Sequence, residues 1–282
     1  MNNEQNGNRN GIILVTGGTG FLAEALIDRL YSEKIRVVAR NEGKLVALKQ
    51  KYPDIEIVTG DIADAWTAKR VMKGAKKVYH LAAMKSVEIA ERQPFECIQT
   101  NVMGTLNLLV ESLNERPSLF LMISTDKAAQ VTGVYGASKM LGEKLMKEAE
   151  LMNDETAYRV VRYGNVLYST GSVLCKWKEA MQKGEEISIT DPDMTRFFWT
   201  REQAVDLIFE CIKDSVDSTP YTPEMKAMRM GTLVEAMMDV YGDVSVNVIG
   251  NRGGENLHET MDGKIFSNDV DQFTKDEIKQ LI

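Results

Sequence analysis

A chain of 282 residues, 44% hydrophobic and 27% charged, has the composition of an ordinary globular protein and is long enough to bury roughly three quarters of its unfolded surface. Its formal charge of −7 argues against a general nucleic-acid surface or a face for anionic lipid, so any anionic ligand must be held by a local basic pocket. No apolar run reaches membrane-spanning length, and two histidines with three scattered cysteines offer no zinc pattern and suit a reducing compartment.

The polar start, MNNEQNGNRNG, resembles a disordered tail over residues 1–10 more than a secretory signal, so the cytosol is the expected compartment. From Gly11 onward, short β-branched runs alternate with longer helical patterns, which predicts successive βα units and a parallel sheet. The expected strands are Gly11–Gly17, Ile35–Ala39, Ile55–Asp61, Lys77–Ala82, Phe120–Thr125 and Ala157–Asn165. They are nearly continuous in apolar residues, as strands covered by helices on both faces are. The fold class is therefore α/β, a doubly wound parallel sheet over 11–165. Beyond Asn165 the pattern breaks into short pieces, which predicts a small C-terminal lobe over 166–199 and 216–282. An amphipathic helix at Arg201–Lys213 should pack back on the sheet.

Gly17-x-x-Gly20-x-x-Ala23 stands at the first strand-to-helix turn. Glycine permits the tight turn and close backbone approach to a pyrophosphate, and the helix start, at Phe21 and Leu22, offers N–H groups and a favourable dipole. Alone this is a common βα connection; at the head of six such units it points to a dinucleotide. Where an NAD site usually carries an acid for the ribose, the chain has Ala39-Arg40-Asn41, which tilts the choice to NADP, with Arg40 and Lys44 bracketing a 2′-phosphate. Asp61 and Ile62 are placed for the adenine end, and Ala82 and Ala83 for close backbone contact.

Ser124-Thr125-Asp126-Lys127 ends the fifth strand, and Tyr135 and Lys139 follow on one helix face. A nearby ammonium and a positive nicotinamide ring both favour tyrosinate, which makes Tyr135 the expected base for an alcohol being oxidised. Such pairs also decorate ordinary helices; the carboxyl ends of the strands, where these sheets bind ligands, are what favour function here.

TGGTGFLA, HLAA, TNVMGT, STDKA and YGASK together resemble the extended short-chain dehydrogenase/reductase (Rossmann) family. More narrowly, STDKAAQVTGVYGASKMLGEKL, VRYGNVLYSTGSV, ITDPDMTRFFWT and RGGENLHE are similar to inverting UDP-N-acetylglucosamine 4,6-dehydratases of surface-sugar pathways, in order from about Gly11 to Glu259. The resemblance implies a tightly held NADP that takes hydride from sugar carbon 4 while Tyr135 accepts the hydroxyl proton. It implies Lys127 as a neutral amine, its pKa lowered by burial or nearby positive charge, removing the carbon 5 proton. Asp126 would protonate the departing carbon 6 hydroxyl; hydride returns to carbon 6, and reprotonation from the opposite face inverts carbon 5. It further implies Thr125 on the carbon 4 oxygen, Asn101 ordering a helix, Asn165 near the nucleotide-sugar, and Lys85 on the sugar side. Arg196 and Arg252 would meet the diphosphate or uridine, and Glu255 the ribose. A homo-oligomer through the helices at about Gln93–Asn114 and Tyr135–Met152 is expected. Two other readings stay open. A nucleotide-sugar 4-epimerase or 4-reductase needs Tyr135 and Lys139 but no Asp-Lys pair, and a non-catalytic NADP-binding protein would be expected to lose the tyrosine or lysine.

Overall fold

A computed structural model describes residues 11–250 and 255–282; the tail read over 1–10, and Arg252, lie outside the described residues. The first half is a regular alternation: β1 (Ile12–Thr16), α1 (Phe21–Leu30), β2 (Ile35–Ala39), α2 (Glu42–Lys51), β3 (Glu56–Thr59), α3 (Ala65–Met72) and β4 (Ala75–His80). Two short helices, α4 (Val87–Arg92) and α5 (Pro94–Ile98), lead through a π-helical turn at Gln99–Met103 into α6 (Gly104–Glu115), β5 (Leu119–Thr125), α7 (Val134–Met152) and β6 (Ala157–Tyr163). All six strands pair in parallel, in the order β3-β2-β1-β4-β5-β6. The order reverses between β1 and β4, and it is outside the carboxyl ends of strands at such a switch point that ligands bind.

The continuous apolar strands serve two cores at once. Ile13, Val15, Tyr79, Leu121 and Val161 point to the face covered by α1 and by Ala204, Val205 and Ile208. Leu14, Val78, Phe120, Met122 and Val160 point to the other, against α3, α6 and α7. Each fully buried side chain of this size stabilises the fold by about 1.5–3 kcal/mol.

The second half is shorter in its pieces: β7 (Asn165–Val166), α8 (Val173–Lys183), β8 (Ile187–Ile189), β9 (Thr195–Trp199), α9 (Arg201–Asp214), β10 (Ala227–Arg229), α10 (Met230–Tyr241), β11 (Val246–Val248) and α11 (Lys275–Leu281). They form a three-stranded sheet, β10-β9-β7, and a parallel pair, β11-β8, around a third apolar cluster that includes Trp177, Phe198, Leu233 and Met237. α9 starts with a capping box on Thr200 and Gln203 and packs on the main sheet through Ala204, Leu207 and Ile208. Gly164 joins the sheets: a Cβ there would lie 2.6 Å from the Phe197 carbonyl oxygen, so only glycine lets β6 pass this close to β9.

The expected helix at Gln93–Asn114 is interrupted. Gln99–Met103 widens into a π turn, an irregularity that periodicity cannot signal and that is frequent at functional sites. Among the described residues no helix is long and apolar enough to cross a membrane.

Candidate active site

The first turn is shaped by glycines. Gly17 sits at φ +65°, and a Cβ on it would lie 2.7 Å from Ala82 Cα, so β1 and the residue after β4 approach to a distance that excludes any side chain. Gly18, which the fingerprint spacing does not single out, is equally constrained by Val37. Gly20 is the N-cap of α1 and supplies no side-chain cap, leaving the first N–H groups, at Phe21 and Leu22, without intrahelical partners. The cradle of backbone donors that a pyrophosphate needs is present.

At the end of β2, Arg40 faces Asp61 across 3.7 Å, both largely in solvent. Asn41 caps α2 by accepting from the Lys44 N–H at 2.9 Å. Asp61 also accepts from the Ala63 N–H, while Ile62 is buried and its carbonyl accepts from Asn107. Arg40 and Asp61 thus lie together beyond β2 and β3, Lys44 stands in the first turn of α2, and Ala82 and Ala83 are partly exposed after β4.

A buried polar chain ties the strand ends to helices. Thr16 meets His80 Nδ1 at 2.7 Å, His80 Nε2 meets Thr105 at 2.9 Å, and Thr105 donates to the Asn101 carbonyl at 2.7 Å. Burial, with Lys139 nearby, pulls His80 down to about 3, so it is neutral at physiological pH. Asn101, in the π turn, accepts from the Met84 N–H at 2.7 Å and donates to the Met84 carbonyl at 3.0 Å and to Ser138 Oγ at 2.9 Å. Ser138 donates in turn to the Tyr135 carbonyl at 2.7 Å. The asparagine expected to order a helix therefore pins two things, the loop before Lys85 and the start of α7. Lys85 is exposed beside Ser86, which caps α4 by accepting from the Ile89 N–H.

The strand-end charges come next. Asp126 and Lys127 form a 3₁₀ turn directly after β5, and α7 presses on that turn because residue 136 is glycine: a Cβ there would sit 2.3 Å from the Lys127 carbonyl oxygen. This approach brings Tyr135 to the same crevice as Lys127, where the Lys127 charge and Thr125 both act to lower its pKa. Asp126 Oδ1 accepts from Thr125 Oγ1 at 2.8 Å, from the Lys127 N–H at 2.9 Å and from Lys127 Nζ at 3.2 Å. Its other oxygen, Oδ2, is buried without a hydrogen-bond partner, which leaves one position for a proton. Burial raises the Asp126 pKa, and Glu259 adds to the rise while Lys127 and Thr125 oppose it. A crevice lined by Val87, Glu91, Lys127, Gly133 and Tyr135 opens beside the turn.

Two expectations are corrected here. Lys127 is not pushed towards the neutral amine: burial pulls its pKa down, but the carboxylates of Asp126 and Glu259 outweigh burial and raise it, with Arg196 opposing. Tyr135 is raised rather than lowered, because burial outweighs Lys127 and Thr125. Lys139 is depressed instead, brought to about 8 by burial against the opposing charge of Glu143.

Arg196, read as a diphosphate contact, is turned inward. It is 8% exposed, and its guanidinium donates to the carbonyls of Thr195, Leu257 and Asn256, with Nε 3.7 Å from Glu259. It holds the segment that begins at Glu255, itself partly buried. Asn165 lies on β7, paired with Phe198. Sequence reasoning assigned no role to Glu259, although it closes the RGGENLHE stretch, nor to Gly136, Glu143 and Arg162. Glu143 and Arg162 form a bidentate pair at 2.8 and 2.7 Å beneath Ser124.

A family model described as polysaccharide biosynthesis protein matches residues 13–279. The chain belongs to that family. The chain is 33% identical over 258 residues to the inverting UDP-N-acetylglucosamine 4,6-dehydratase of Campylobacter jejuni, covering 88% of this chain and 76% of the relative. It is 31% identical over 261 residues to the UDP-glucose 4-epimerase of Rickettsia rickettsii, with the same coverage. Its structure superposes on that of Pen from Bacillus thuringiensis with a TM-score of 0.91 at 26% identity, over 97% of both chains. The family member described here is thus an extended short-chain dehydrogenase/reductase resembling the inverting 4,6-dehydratase, and an enzyme of the nucleotide-sugar dehydratase/epimerase class.

Proposed function

We propose that the protein is an NADP-dependent UDP-N-acetylglucosamine 4,6-dehydratase that inverts carbon 5. The observation that carries this reading is the Asp126-Lys127 turn, held by Gly136 against Tyr135, since oxidation and return of hydride at carbon 4 alone make no use of a buried acid and amine.

When bound, the nicotinamide supplies a reversible hydride store and a positive charge. That positive charge favours the tyrosinate that burial opposes, so that Tyr135 accepts the carbon 4 hydroxyl proton, with Thr125 on the same oxygen, and the resulting ketone acidifies carbon 5. Lys127 removes the carbon 5 proton, and Asp126, with a free oxygen at Oδ2 and a raised pKa, delivers a proton to the departing carbon 6 oxygen. With the stored hydride returned to carbon 6, reprotonation of carbon 5 from the other face would give the inverted 6-deoxy-4-keto sugar. The glycine cradle fits a dinucleotide, and Arg40 directly after β2, with Lys44 in the first turn of α2, supports NADP. Lys85, Asn165, Glu255 and Arg252 are assigned to the sugar nucleotide from their place in the motifs. Phe95, at 81% exposure, with Ile98, Val110 and Leu141 also exposed, supports a homo-oligomer through α5, α6 and α7.

The test is incubation of the NADP-loaded protein with UDP-N-acetylglucosamine in deuterium oxide, followed by NMR. The expected product is a 6-deoxy-4-keto sugar with inverted carbon 5 carrying deuterium, and no net reduced cofactor. Simple inversion at carbon 4 would favour the epimerase reading, which the Rickettsia relative keeps in view.

A further inference from the structure

Two buried carboxylates contact Lys127, and only Asp126 belongs to its own turn. Nζ lies 3.2 Å from Asp126 Oδ1 and 3.3 Å from Glu259 Oε1, and both acidic side chains are 1% exposed. Glu259 is delivered by a tightly held segment. Its N–H donates to Ser267 Oγ at 2.9 Å, and Ser267 donates to the Thr195 carbonyl at 3.0 Å. The Thr195 N–H reaches the Leu257 carbonyl at 3.1 Å, and Arg162 Nη1 donates to the Met261 carbonyl at 2.6 Å. The backbone is therefore fixed by other residues, and within the segment only Asn256 Nδ2 reaches the carboxylate, donating to Oε2 at 3.3 Å, which leaves Oε1 buried without a hydrogen bond among the described residues. Removing a carboxylate from water costs several kcal/mol unless an opposite charge answers it. Among the described residues Lys127 is the nearest cation to Oε1; the Arg196 Nε is 3.7 Å away, with its other donors on main-chain oxygens and the Met194 sulfur.

This arrangement bears on a difficulty in the proposed elimination, on which the inference rests. Lys127 is held as an ammonium and must lose a proton before it can take one from carbon 5. If Asp126 holds its own proton for the leaving oxygen, it cannot receive another. We propose that Glu259 is a positioning residue that accepts the Lys127 proton, so that the amine is free when carbon 5 is acidified. The protons and electrons balance. One proton passes from Nζ to the Glu259 carboxylate, and Nζ then takes the carbon 5 proton. The carbon 5–hydrogen electron pair becomes the carbon 5–carbon 6 double bond. The carbon 6–oxygen bond breaks with its pair on oxygen, and the Asp126 proton completes water. Among the described residues, the charged and titratable groups facing Glu259 are Lys127 and Asp126 from the turn and Arg196 from β9; its neighbour His258 is engaged through Nδ1 with Thr195 at 2.8 Å.

The variant that decides this is Glu259→Gln, which keeps the shape and removes the acceptor. In wild type, the Lys127 proton has a carboxylate acceptor 3.3 Å away. In Glu259→Gln, Lys127 must lose its proton to solvent, so the rate at neutral pH should fall ~100-fold, within the range for one proton-transfer partner. The acid limb should also move at least one pH unit higher. Carbon 4 oxidation, read as transient reduced-nicotinamide absorbance in a single turnover, should stay within about threefold. A wild-type pH profile for carbon 5 deuterium uptake in this variant would overturn the inference and leave direct Lys127-to-Asp126 transfer in its place. If Glu259→Gln does not fold, Glu259→Asp decides. It should keep the wild-type acid limb with less than about tenfold loss, and an acid limb shifted upward despite the retained carboxylate would overturn the inference. Absence of carbon 5 deuterium in wild type would instead refute the dehydratase reading itself.

Discussion

Lys127 and Lys139 are both enclosed, both within one turn of Tyr135 along the chain or across the crevice, and electrostatically opposite. Lys127 touches two carboxylates and is held charged, whereas Lys139 has Glu143 opposing burial without overcoming it and falls to about 8. Burial alone does not set the charge of a lysine; the acids within reach do. The first suits a group that hands protons on, the second a group beside a redox cofactor whose charge near neutrality is adjustable.

The sharpest way to break this comparison is to remove each amine in turn. Lys127→Met should abolish elimination, by ~10³-fold or more, and destabilise the protein by about 3–5 kcal/mol, because Asp126 and Glu259 lose their counter-charge. Lys139→Met should shift stability the other way. The folded pKa of Lys139 lies below the unfolded lysine value of about 10.4, so its contribution is full above that pH and is lost as pH falls towards about 8. Replacing it should therefore raise stability at neutral pH by about 3 kcal/mol, with the gain vanishing above about pH 10.4. Urea melts across that range read both variants, and equal signs for the two would end the contrast.

How much of this was legible beforehand follows from the kind of signal each feature leaves. The six strands and their helices were, because strands buried on both faces must be apolar at every position, and Leu14 beside Val15 carries that mark. Asp126 and Lys127 stood out because charge at the end of such a strand is anomalous. Their protonation was not readable, since Glu259 reaches Lys127 from a segment far along the chain and no spacing rule connects the two. Arg196 misled for a related reason: an arginine in a substrate-lobe motif looks the same in sequence whether it faces phosphate or main-chain carbonyls. The π turn at Asn101 left no periodic trace, and the glycine at 136 was quoted within a motif without its steric reason.

That steric reason gives the next test. Adding a methyl group at Gly136 would place Cβ 2.3 Å from a backbone oxygen of Lys127, and backbone on both sides can yield only by separating α7 from the turn. Gly136→Ala should cost about 1–3 kcal/mol of stability. It should reduce elimination more than carbon 4 oxidation if Tyr135 stays with the cofactor while Asp126 and Lys127 recede. Equal loss in both half-reactions would mean that the two lysine environments move as one unit.

The smallest effect belongs to the other acid-base pair on the sheet rim, and it measures what burial adds to the first. Arg40 and Asp61 are 3.7 Å apart with side chains 64% and 40% exposed, so their attraction is worth only about 0–1 kcal/mol. Arg40 can therefore leave Asp61 for a 2′-phosphate at little cost, which Lys127, between two buried acids, cannot do. Arg40→Ala should leave the melting temperature unchanged within about 1 °C. It should weaken NADP binding about tenfold, or ~1.4 kcal/mol, and leave NAD binding within about twofold, as titrated by calorimetry. Equal losses for the two cofactors would remove Arg40 from phosphate recognition and reduce it to a surface ion pair.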